Sequence, residues 1–204
     1  HRVHRRQRQM CIRDRSRGFR SRAALKLEQI DQKHKLLFPD AKVLDLGCAP
    51  GGWLQYASRR IGLEDGRGVL VGIDLLETEP VMGASILKGD INDDAMMAEM
   101  IRLIDGKADL VLSDMAADTT GHRPTDHIRT TLLLDLALDM AQRVLTPGGA
   151  FLAKCFRGGA ERDALELMRR DFATVRHVKP AASRQESVES YVLATGFRGD
   201  RPEE

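Results

Sequence analysis

The sequence predicts an α/β domain built on a mostly parallel seven-stranded sheet, with an antiparallel last strand and helices on both faces. Short apolar runs alternate with helical patterns along almost the whole chain, as in repeated strand–helix units. The first of these runs leads directly into a glycine-rich loop. The last two runs are joined by a loop without a helical pattern, which favours an antiparallel pair because parallel strands need a longer crossover.

The individual elements follow from hydrophobic periodicity and from turn residues. Strands are predicted over about residues 42–46, 68–74, 84–87, 108–113, 150–155, 174–179 and 190–195. Helices are predicted over about residues 22–35, 51–61, 93–104, 125–145 and 160–171. Ser21 is the expected cap of the first helix, and Pro147-Gly148-Gly149 is expected to form a turn before the fifth strand.

The chain length of 204 residues suits a single domain. We expect this domain to span residues 21–197, with a basic N-terminal arm over residues 1–20 and a polar tail over residues 198–204. Residues 1–15 fit two interpretations equally well. They are either part of a native arm or a non-native, disordered extension, since they begin without methionine and resemble low-complexity sequence.

The formal net charge of +2 conceals a strong asymmetry. Residues 1–22 contain nine arginines and one acidic residue, a charge of +8, which leaves −6 for the rest of the chain. A basic arm on a mildly acidic body indicates a polyanionic partner, most simply a nucleic acid. The three cysteines are scattered, which indicates neither a metal site nor a disulfide framework and favours the reducing cytoplasm. No apolar run is long enough to cross a membrane.

Residues 43–53, with the sequence VLDLGCAPGGW, form the most informative stretch. Gly47, Gly51 and Gly52 allow the backbone to come close to a ligand, and Pro50 suits the first turn of the helix that follows. The spacing matches neither a P-loop nor the dinucleotide fingerprint. A carboxylate before the loop and Pro-Gly-Gly inside it suit S-adenosylmethionine better, with an ordinary strand-to-helix turn as the alternative.

Acidic residues stand at the carboxyl ends of several predicted strands, where ligands bind in such sheets. Asp74 is a candidate for the ribose hydroxyls of the cofactor or for a turn former, and Asp90 for the adenine amine or for a helix cap. Asp45 lies inside the first strand and needs a partner, either the loop backbone or the ammonium group of a ligand. Asp114 ends the fourth strand, next to the expected position of the cofactor's methyl group. Trp53 packs either on the methionine part of the cofactor or on the sheet.

Two lysines stand among apolar neighbours, Lys154 in the fifth strand and Lys26 in the first helix. A buried lysine is costly unless it is paired or functional. Each of them, and Glu189 before the last strand, is by itself compatible with a solvated surface charge. If these lysines converge with Glu189 and Asp114 on one strand edge, mutual pairing would permit burial, and a lysine there would be a candidate base.

Taken together, these motifs resemble the FtsJ-type RNA 2′-O-ribose methyltransferases. The likeness covers about residues 16–197 and rests on SRAALKL at 21–27, DLGCAPGGW at 45–53, SDMA at 113–116, Lys154, and ESY at 189–191. The compact length is similar to the bacterial large-subunit rRNA methyltransferase E branch, which methylates a uridine ribose in the 23S rRNA of the assembled large subunit. The family often has Pro-Asn where this chain has Ala117-Asp118, which puts the shape of the target-nucleotide loop in question.

The resemblance implies a Rossmann-like, class I S-adenosylmethionine-dependent methyltransferase with a catalytic tetrad of Lys26, Asp114, Lys154 and Glu189. Together with the loop, it gives an expected cofactor set of Asp45, Gly47, Pro50, Gly51, Gly52, Trp53, Asp74, Asp90 and Asp114. Lys154 would act on the ribose 2′-hydroxyl, either as the base or as a charged group that orients it, and Asp114 would hold the lysine. Lys26 and Glu189 would position the ribose and phosphate.

The implied partner is 23S rRNA within the large ribosomal subunit, with no metal and no membrane, and we expect a monomer. Arg17, Arg20 and Arg22 would bind the rRNA backbone without reading its sequence, and a solvated basic face is the alternative for these arginines.

Other functions compete with this one. An NAD(P)-dependent oxidoreductase would use Asp74 after a glycine loop, but it needs neither Pro-Gly-Gly nor the lysines. A non-catalytic rRNA-binding assembly factor would have no reason to bury a lysine on a strand. A small-molecule O-methyltransferase usually carries additional segments that cover the substrate. Within RNA methylation, another RNA such as tRNA is the alternative substrate.

Overall fold

The computed structural model describes residues 18–116, 121–156, 161–183 and 188–199. Its strands are β1 (Lys42–Leu46), β2 (Val69–Asp74), β3 (Ser85–Lys88), β4 (Ala108–Ser113), β5 (Leu145–Phe156), β6 (Phe172–Val178) and β7 (Glu189–Phe197). They form one sheet in the order β3-β2-β1-β4-β5-β7-β6. Strands β1 to β5 pair in parallel, whereas β7 is antiparallel to both β5 and β6. This arrangement confirms the predicted fold class.

The fifth strand starts earlier than the sequence predicted. Ala108 of β4 pairs with Leu145, and Leu110 pairs with Ala150, so a single residue of β4 lies opposite residues 146–149 of β5. The prediction that Pro147-Gly148-Gly149 forms a turn before the fifth strand is therefore wrong, because these residues form a bulge inside β5. Gly148 within it has a φ of +87°, which residues with a Cβ rarely adopt.

The helices are α1 (Ala23–His34), α2 (Gly52–Ile61), α3 (Asp94–Ile104), α4 (Arg123–Val144) and α5 (Arg162–Asp171). Helices α1 and α2 bury residues such as Leu27 and Leu54 against one face of the sheet. The other three helices bury residues such as Met100, Leu138 and Met168 against the opposite face. Each such side chain contributes about 1.5–3 kcal/mol of burial, so both layers hold the sheet in place.

The alternation of side chains along a strand decides which helical layer each one meets. In β5, Phe151 and Ala153 pack in the layer of α4 and α5, while Leu152 packs in the layer of α1 and α2. Lys154 follows this alternation onto the α1 face. Tyr191 of β7 pairs with Lys154 across the sheet and packs in the same α1 layer. The fold thus brings polar groups of β5 and β7 beneath α1 at one edge of the sheet.

Some predictions fall outside the described residues. They concern the arm up to and including Arg17, the dipeptide Ala117-Asp118, the predicted start of the last helix at residue 160, and the end of the tail. Among the helices of the described segments, none combines the length and the apolar character needed to cross a bilayer.

Candidate active site

Lys154 and Asp114 form an ion pair at the carboxyl edge of the sheet. Lys154 Nζ lies 2.9 Å from Asp114 Oδ1 and also donates to the backbone oxygen of Asp114 at 3.0 Å. The two side chains are only 9% and 17% exposed. Ser113 of β4 pairs with Ala153 of β5, so the residue that follows each of them lies at the same level of the sheet edge. This geometry confirms that the two charges face each other.

A second ion pair lies beside the first. Lys26 Nζ of α1 donates to Glu189 Oε1 at the start of β7, and both side chains are largely buried. Glu189 pairs with Phe156 in the register between β5 and β7, only two residues beyond Lys154. All four residues predicted from the resemblance therefore meet at one edge, as two neighbouring ion pairs. Mutual pairing explains how two lysines are tolerated there.

Tyr191 joins the two ion pairs and was assigned no role from the sequence. Its hydroxyl donates to Asp114 Oδ1 at 2.9 Å, and its ring centroid lies 5.9 Å from Lys26 Nζ. Burial, together with the negative charge of Asp114, raises the pKa of the Tyr191 phenol well above its ordinary value of 10.0. The phenol therefore stays a donor to Asp114. The signal that could have identified Tyr191 is its pairing with Lys154, which only the strand register reveals.

Replacement of Tyr191 by phenylalanine is expected to lower kcat about tenfold. The ring would stay, but Asp114 would lose a donor, and a hydrogen bond to a charged group contributes about 1.5 kcal/mol. The matched control is Tyr56→Phe, which removes a buried hydroxyl that donates to Asp31 Oδ2 at 2.8 Å within the α1–α2 layer. Both variants are measured by methyl-transfer kinetics and by thermal unfolding. The control should lose stability but keep its kcat. An equal loss of kcat in both would contradict a positioning role for Tyr191.

A cavity of about 380 Å³ lies beside the ion pairs, at the carboxyl ends of the central strands. This volume falls in the range of small-molecule sites, which is about 300–1,000 Å³. Four residues of the predicted cofactor set line the cavity, namely Gly47, Asp74, Asp90 and Asp114. Apolar residues that the sequence analysis did not select form much of the remaining wall, among them Ile73, Leu75, Leu76, Ile91, Met115, Leu133 and Leu136. Asp114 belongs to both the cavity and the ion pair, so the two sites share a wall.

Asp74 and Asp90 are held in fixed orientations on the cavity wall. Asp74 accepts hydrogen bonds from the N–H groups of Ala49 and Leu76, at 2.9 and 2.8 Å. It thereby acts as a turn former, one of its two predicted roles. Asp90 accepts from the backbone and side chain of Asn92, and the backbone N–H of Asn92 is the main reason that its pKa is lowered. Asp90 does not cap α3.

The cap of α3 is Asp93, whose carboxylate accepts from the Ala95 N–H at 2.8 Å. This excludes the alternative that Asp90 serves as the helix cap. Asp90 is instead an ionised carboxylate on the cavity wall, which keeps it available as an acceptor for a ligand.

Asp45 lies behind the cavity wall and is fully buried. Neither of its carboxylate oxygens has a hydrogen-bond partner within the described residues, and the nearby Gly47 N–H donates to Ile73 instead. Burial, followed by the negative charges of Asp114 and Asp74, raises the pKa of Asp45 well above its ordinary value of 3.8. Of the two predicted partners, the loop backbone supplies no hydrogen bond. The unsatisfied carboxylate fits a site that receives a cationic group.

Gly47 meets the requirement for close backbone approach at the cavity. Its φ is +76°, and a Cβ there would lie 2.5 Å from Met115 Cγ. Pro50 does not occupy the first turn of a helix, because α2 begins at Gly52 with Gly51 as its N-cap. The placement of Pro50 within the helix was therefore wrong, and Pro50 does not line the cavity.

The structure gives Gly51 and Gly52 a different reason to lack a side chain. A Cβ on Gly51 would lie 2.6 Å from the guanidinium of Arg20, and a Cβ on Gly52 would collide with the Ser21 hydroxyl. Both glycines therefore admit the segment before α1, and their contact with the cofactor stays a prediction. Ser21 does not cap α1 as predicted, since Arg22 occupies the N-cap position and the Ser21 hydroxyl packs against Gly52.

Trp53 lies beneath the ion pairs and not on the cavity wall. Its indole N–H donates to the Ala23 backbone oxygen at 2.7 Å, and its ring centroid lies 5.8 Å from that of Tyr191. Of the two predicted positions, packing on the sheet is the one observed. Trp53 thus supports the catalytic side chains from below.

The described N-terminal arginines make contacts within the protein. Arg20 donates to the backbone oxygens of Glu79 and Pro80 at 2.6 and 2.7 Å, which ties the chain before α1 to the loop after β2. Arg22 donates to the Ala182 backbone oxygen at 3.3 Å. These contacts give the guanidinium of Arg20 a structural role, and RNA binding by Arg20 and Arg22 stays a prediction.

Comparison with known proteins places this chain in a family. The model of the FtsJ-like methyltransferases matches residues 19–197. A protein of Xanthobacter autotrophicus, "Ribosomal RNA large subunit methyltransferase E", is 53% identical over 183 residues, covering 90% of this chain and 72% of that protein. A protein of the same name from Granulibacter bethesdensis is 55% identical over 181 residues, covering 89% and 76%.

Solved structures agree with the sequence comparison. A putative ribosomal RNA methyltransferase from Plasmodium falciparum superposes with a TM-score of 0.77 at 26% identity, covering 89% of this chain and all of that one. The fibrillarin/Nop5p complex, with a TM-score of 0.59 at 17% identity, shares the fold. These findings confirm the predicted methyltransferase activity and S-adenosylmethionine as the methyl donor. The chain belongs to the FtsJ-like methyltransferase family.

Proposed function

We propose that this methyltransferase transfers a methyl group to the 2′-hydroxyl of a uridine ribose in the 23S rRNA of the large ribosomal subunit. The observation that carries the proposal is the buried Lys154–Asp114 ion pair, because it shares Asp114 with the cavity wall. An acceptor hydroxyl at Lys154 would therefore lie next to a donor held in the cavity. The names of the similar proteins from Xanthobacter and Granulibacter support rRNA of the large subunit as the substrate.

The residues of the cavity fit S-adenosylmethionine. Asp74 and Asp90 offer carboxylate oxygens to ribose hydroxyls and to the adenine amine, and apolar residues such as Leu75 and Ile91 surround the base. Asp45 does not line the cavity but lies buried behind its wall, where its unsatisfied carboxylate would receive the ammonium group. When bound, the cofactor supplies an electrophilic methyl group on a sulfonium. The rim of the cavity at Asp114 is the expected position of this methyl group.

Lys154 acts on the ribose 2′-oxygen in this proposal. Asp114 fixes the lysine through its carboxylate and through its backbone oxygen, so one ammonium donor position is left to point toward the acceptor. In one variant, Lys154 in its neutral form removes the proton from the 2′-hydroxyl. In the other, Lys154 stays charged, orients the hydroxyl, and stabilises the negative charge that develops on its oxygen.

Lys26 and Glu189 would position the target nucleotide. Their ion pair joins α1 to the start of β7 beside the Tyr191 ring, and neither residue lines the cavity. A lysine suits a phosphate oxygen, and a carboxylate suits a ribose hydroxyl. Both groups would therefore align the acceptor with the donor, which lowers the barrier by reducing the entropy lost at the reaction step.

The decisive experiment measures methyl transfer from radiolabelled S-adenosylmethionine to large ribosomal subunits that lack the modification. Free 23S rRNA and tRNA serve as the comparison substrates. Label on a uridine 2′-oxygen of the subunit is the expected result. Transfer to tRNA in preference to the subunit would show that tRNA, and not 23S rRNA, is the substrate. Cofactor binding without transfer to any RNA would favour the assembly-factor alternative.

A further inference from the structure

A second cavity, of about 360 Å³, lies between the C-terminal half of α1 and the end of β6. We name it the basic cleft, defined by its ionisable lining residues Lys33, His34, Arg176, His177 and Lys179. All of its lining residues belong to the described part of the chain, and none of them is acidic. The cleft therefore concentrates positive charge on one part of the surface. By contrast, the chain after its arginine-rich first 22 residues has a net negative formal charge.

His34 carries an unsatisfied polar atom in this cleft. Its Nε2 atom is buried and has no hydrogen-bond partner within the described residues. Burial, together with the positive charges of Lys33 and Arg176, lowers the pKa of the imidazole below its ordinary value of 6.5. A bound anion would neutralise the two neighbouring cations. The site is thus more favourable for an anionic ligand than for a neutral one.

The basic cleft and the catalytic site share helix α1. Lys26, Gln29 and Lys33 follow one another at spacings of three and four residues, so they lie on one face of α1, and Lys33 is about 10 Å from Lys26 along the axis. The Gln29 side-chain oxygen accepts from the Ala182 N–H at 2.8 Å, which ties the end of the cleft to the segment that leads to Glu189. An RNA strand that ran from Lys26 along this face of α1 would reach Lys33 at the cleft.

The cations of β6 have a competing explanation. Strand β6 is at the edge of the sheet, and charged side chains on an edge strand discourage pairing with other molecules. This accounts for Arg176 of β6 and for Lys179, which directly follows the strand. It does not account for Lys33, which comes from α1, or for the buried nitrogen of His34, so the cleft as a whole indicates a ligand.

We propose that the basic cleft binds phosphates of the substrate RNA strand beside the methylated nucleotide. This inference rests on the proposed function, because it places the flanking strand relative to the catalytic site. Lys33 and Arg176 would contact phosphate oxygens, which fixes the strand without reading its sequence. Such contacts release counterions and make binding depend on salt concentration.

The test removes two cleft charges with the double variant Lys33→Gln/Arg176→Gln. The matched control is Lys107→Gln/Arg169→Gln, which removes the same charges from exposed positions outside the cleft. The dissociation constant for free 23S rRNA is measured over a series of salt concentrations. We expect binding at low salt to weaken at least about tenfold and the slope of log K against log salt to fall by about 1 to 2, whereas the control keeps the wild-type slope.

Kinetics separate the cleft from the catalytic machinery. With large ribosomal subunits, the cleft variant should show a higher KM, while kcat at saturating substrate and the Kd for S-adenosylmethionine stay unchanged. If the double variant loses cofactor binding through misfolding, each single variant should still show about half of the change in slope.

The possible failures are distinguishable. A wild-type enzyme that neither binds nor methylates any RNA overturns the proposed function itself. A wild-type enzyme that methylates subunits, with a cleft variant that keeps the wild-type slope and KM, overturns only the cleft. Equal losses in the cleft and control variants also overturn it, because they would show a general effect of net charge.

Discussion

The variant Lys154→Ala is expected to reduce kcat for methyl transfer by about 10²–10⁴-fold, the range seen when a group that handles a proton is removed. Lys154 does not line the cavity, so the Kd for S-adenosylmethionine should change little. Asp114 would lose its ion-pair partner but keep the hydrogen bond from Tyr191 and its partial exposure, so the site should stay folded. Single-turnover transfer and equilibrium cofactor binding measure the two effects separately.

The control for this prediction is Lys107→Ala, at an exposed lysine outside the site. It removes the same side chain and the same charge, and it should keep wild-type rates. If Lys154→Ala retains most of the activity, then the assignment of Lys154 is wrong, whatever the binding data show.

The variant Lys154→Arg separates the two roles open to the lysine. An arginine stays protonated under all conditions of the assay, so it cannot remove the proton from the 2′-hydroxyl. If Lys154 is the base, Lys154→Arg should be as inactive as Lys154→Ala. If it is a charged orienter, the arginine should recover a measurable part of the lost rate, because it also pairs with Asp114 and donates hydrogen bonds.

A second large effect is expected for Asp45→Asn, with opposite signs for binding and stability. The amide cannot form an ion pair with an ammonium group, so the Kd for S-adenosylmethionine should rise at least about 30-fold, corresponding to about 2 kcal/mol. Without cofactor, however, the variant should be more stable than the wild type at neutral pH. The reason is that the wild-type carboxylate is fully buried and has no hydrogen-bond partner among the described residues.

The stability effect depends on pH with a defined sign. Because the pKa of Asp45 is raised in the folded state, the folded protein holds a proton that the unfolded chain releases above pH 3.8. The free energy of unfolding of the cofactor-free wild type should therefore fall as pH rises from about 4 toward the raised pKa. Asp45→Asn lacks this contribution, so its advantage over the wild type should grow with pH over the same window.

Cofactor binding should have the opposite effect on the protonation of Asp45. An ammonium group favours the ionised carboxylate, so binding to the wild type should release a proton within that pH window, and binding to Asp45→Asn should not. Calorimetry in two buffers of different ionisation enthalpy measures the number of protons released. No difference in proton release between the two proteins would show that Asp45 does not receive the ammonium group.

The variant Asp31→Asn is the matched control for these measurements. Asp31 is also a buried aspartate, but it accepts hydrogen bonds from the Leu37 N–H, the Tyr56 hydroxyl and Arg60. Its replacement should lower stability rather than raise it, and it should leave cofactor affinity unchanged. Chemical denaturation of the three proteins without cofactor checks the sign.

Local sequence signals predicted the sheet and the charged cluster well. The apolar run before the glycine loop gave β1 with its observed bounds, and the same is true of β4. Lys154 stood out because a lysine in an apolar strand needs a partner, and the structure supplies Asp114. These features were predictable because hydrophobic period and the cost of burying a charge are properties of short segments.

Features that depend on register and on distant contacts were not predictable in this way. Tyr191 acquires its role only from its pairing with Lys154, and the bulge in β5 only from its alignment with β4. Gly51 lacks a side chain because of Arg20, which is 31 positions earlier in the chain. The apolar wall of the cavity comes from the ends of several strands and from α4, so no single motif marks it.

Trp53 has a consequence for experiments on the intact enzyme. It is the only tryptophan of the chain, and its ring lies against Tyr191, directly below the two ion pairs. Its fluorescence therefore originates entirely from the catalytic end of the molecule. We therefore expect the tryptophan emission of the unlabelled wild-type enzyme to report the arrival of RNA at this end in real time.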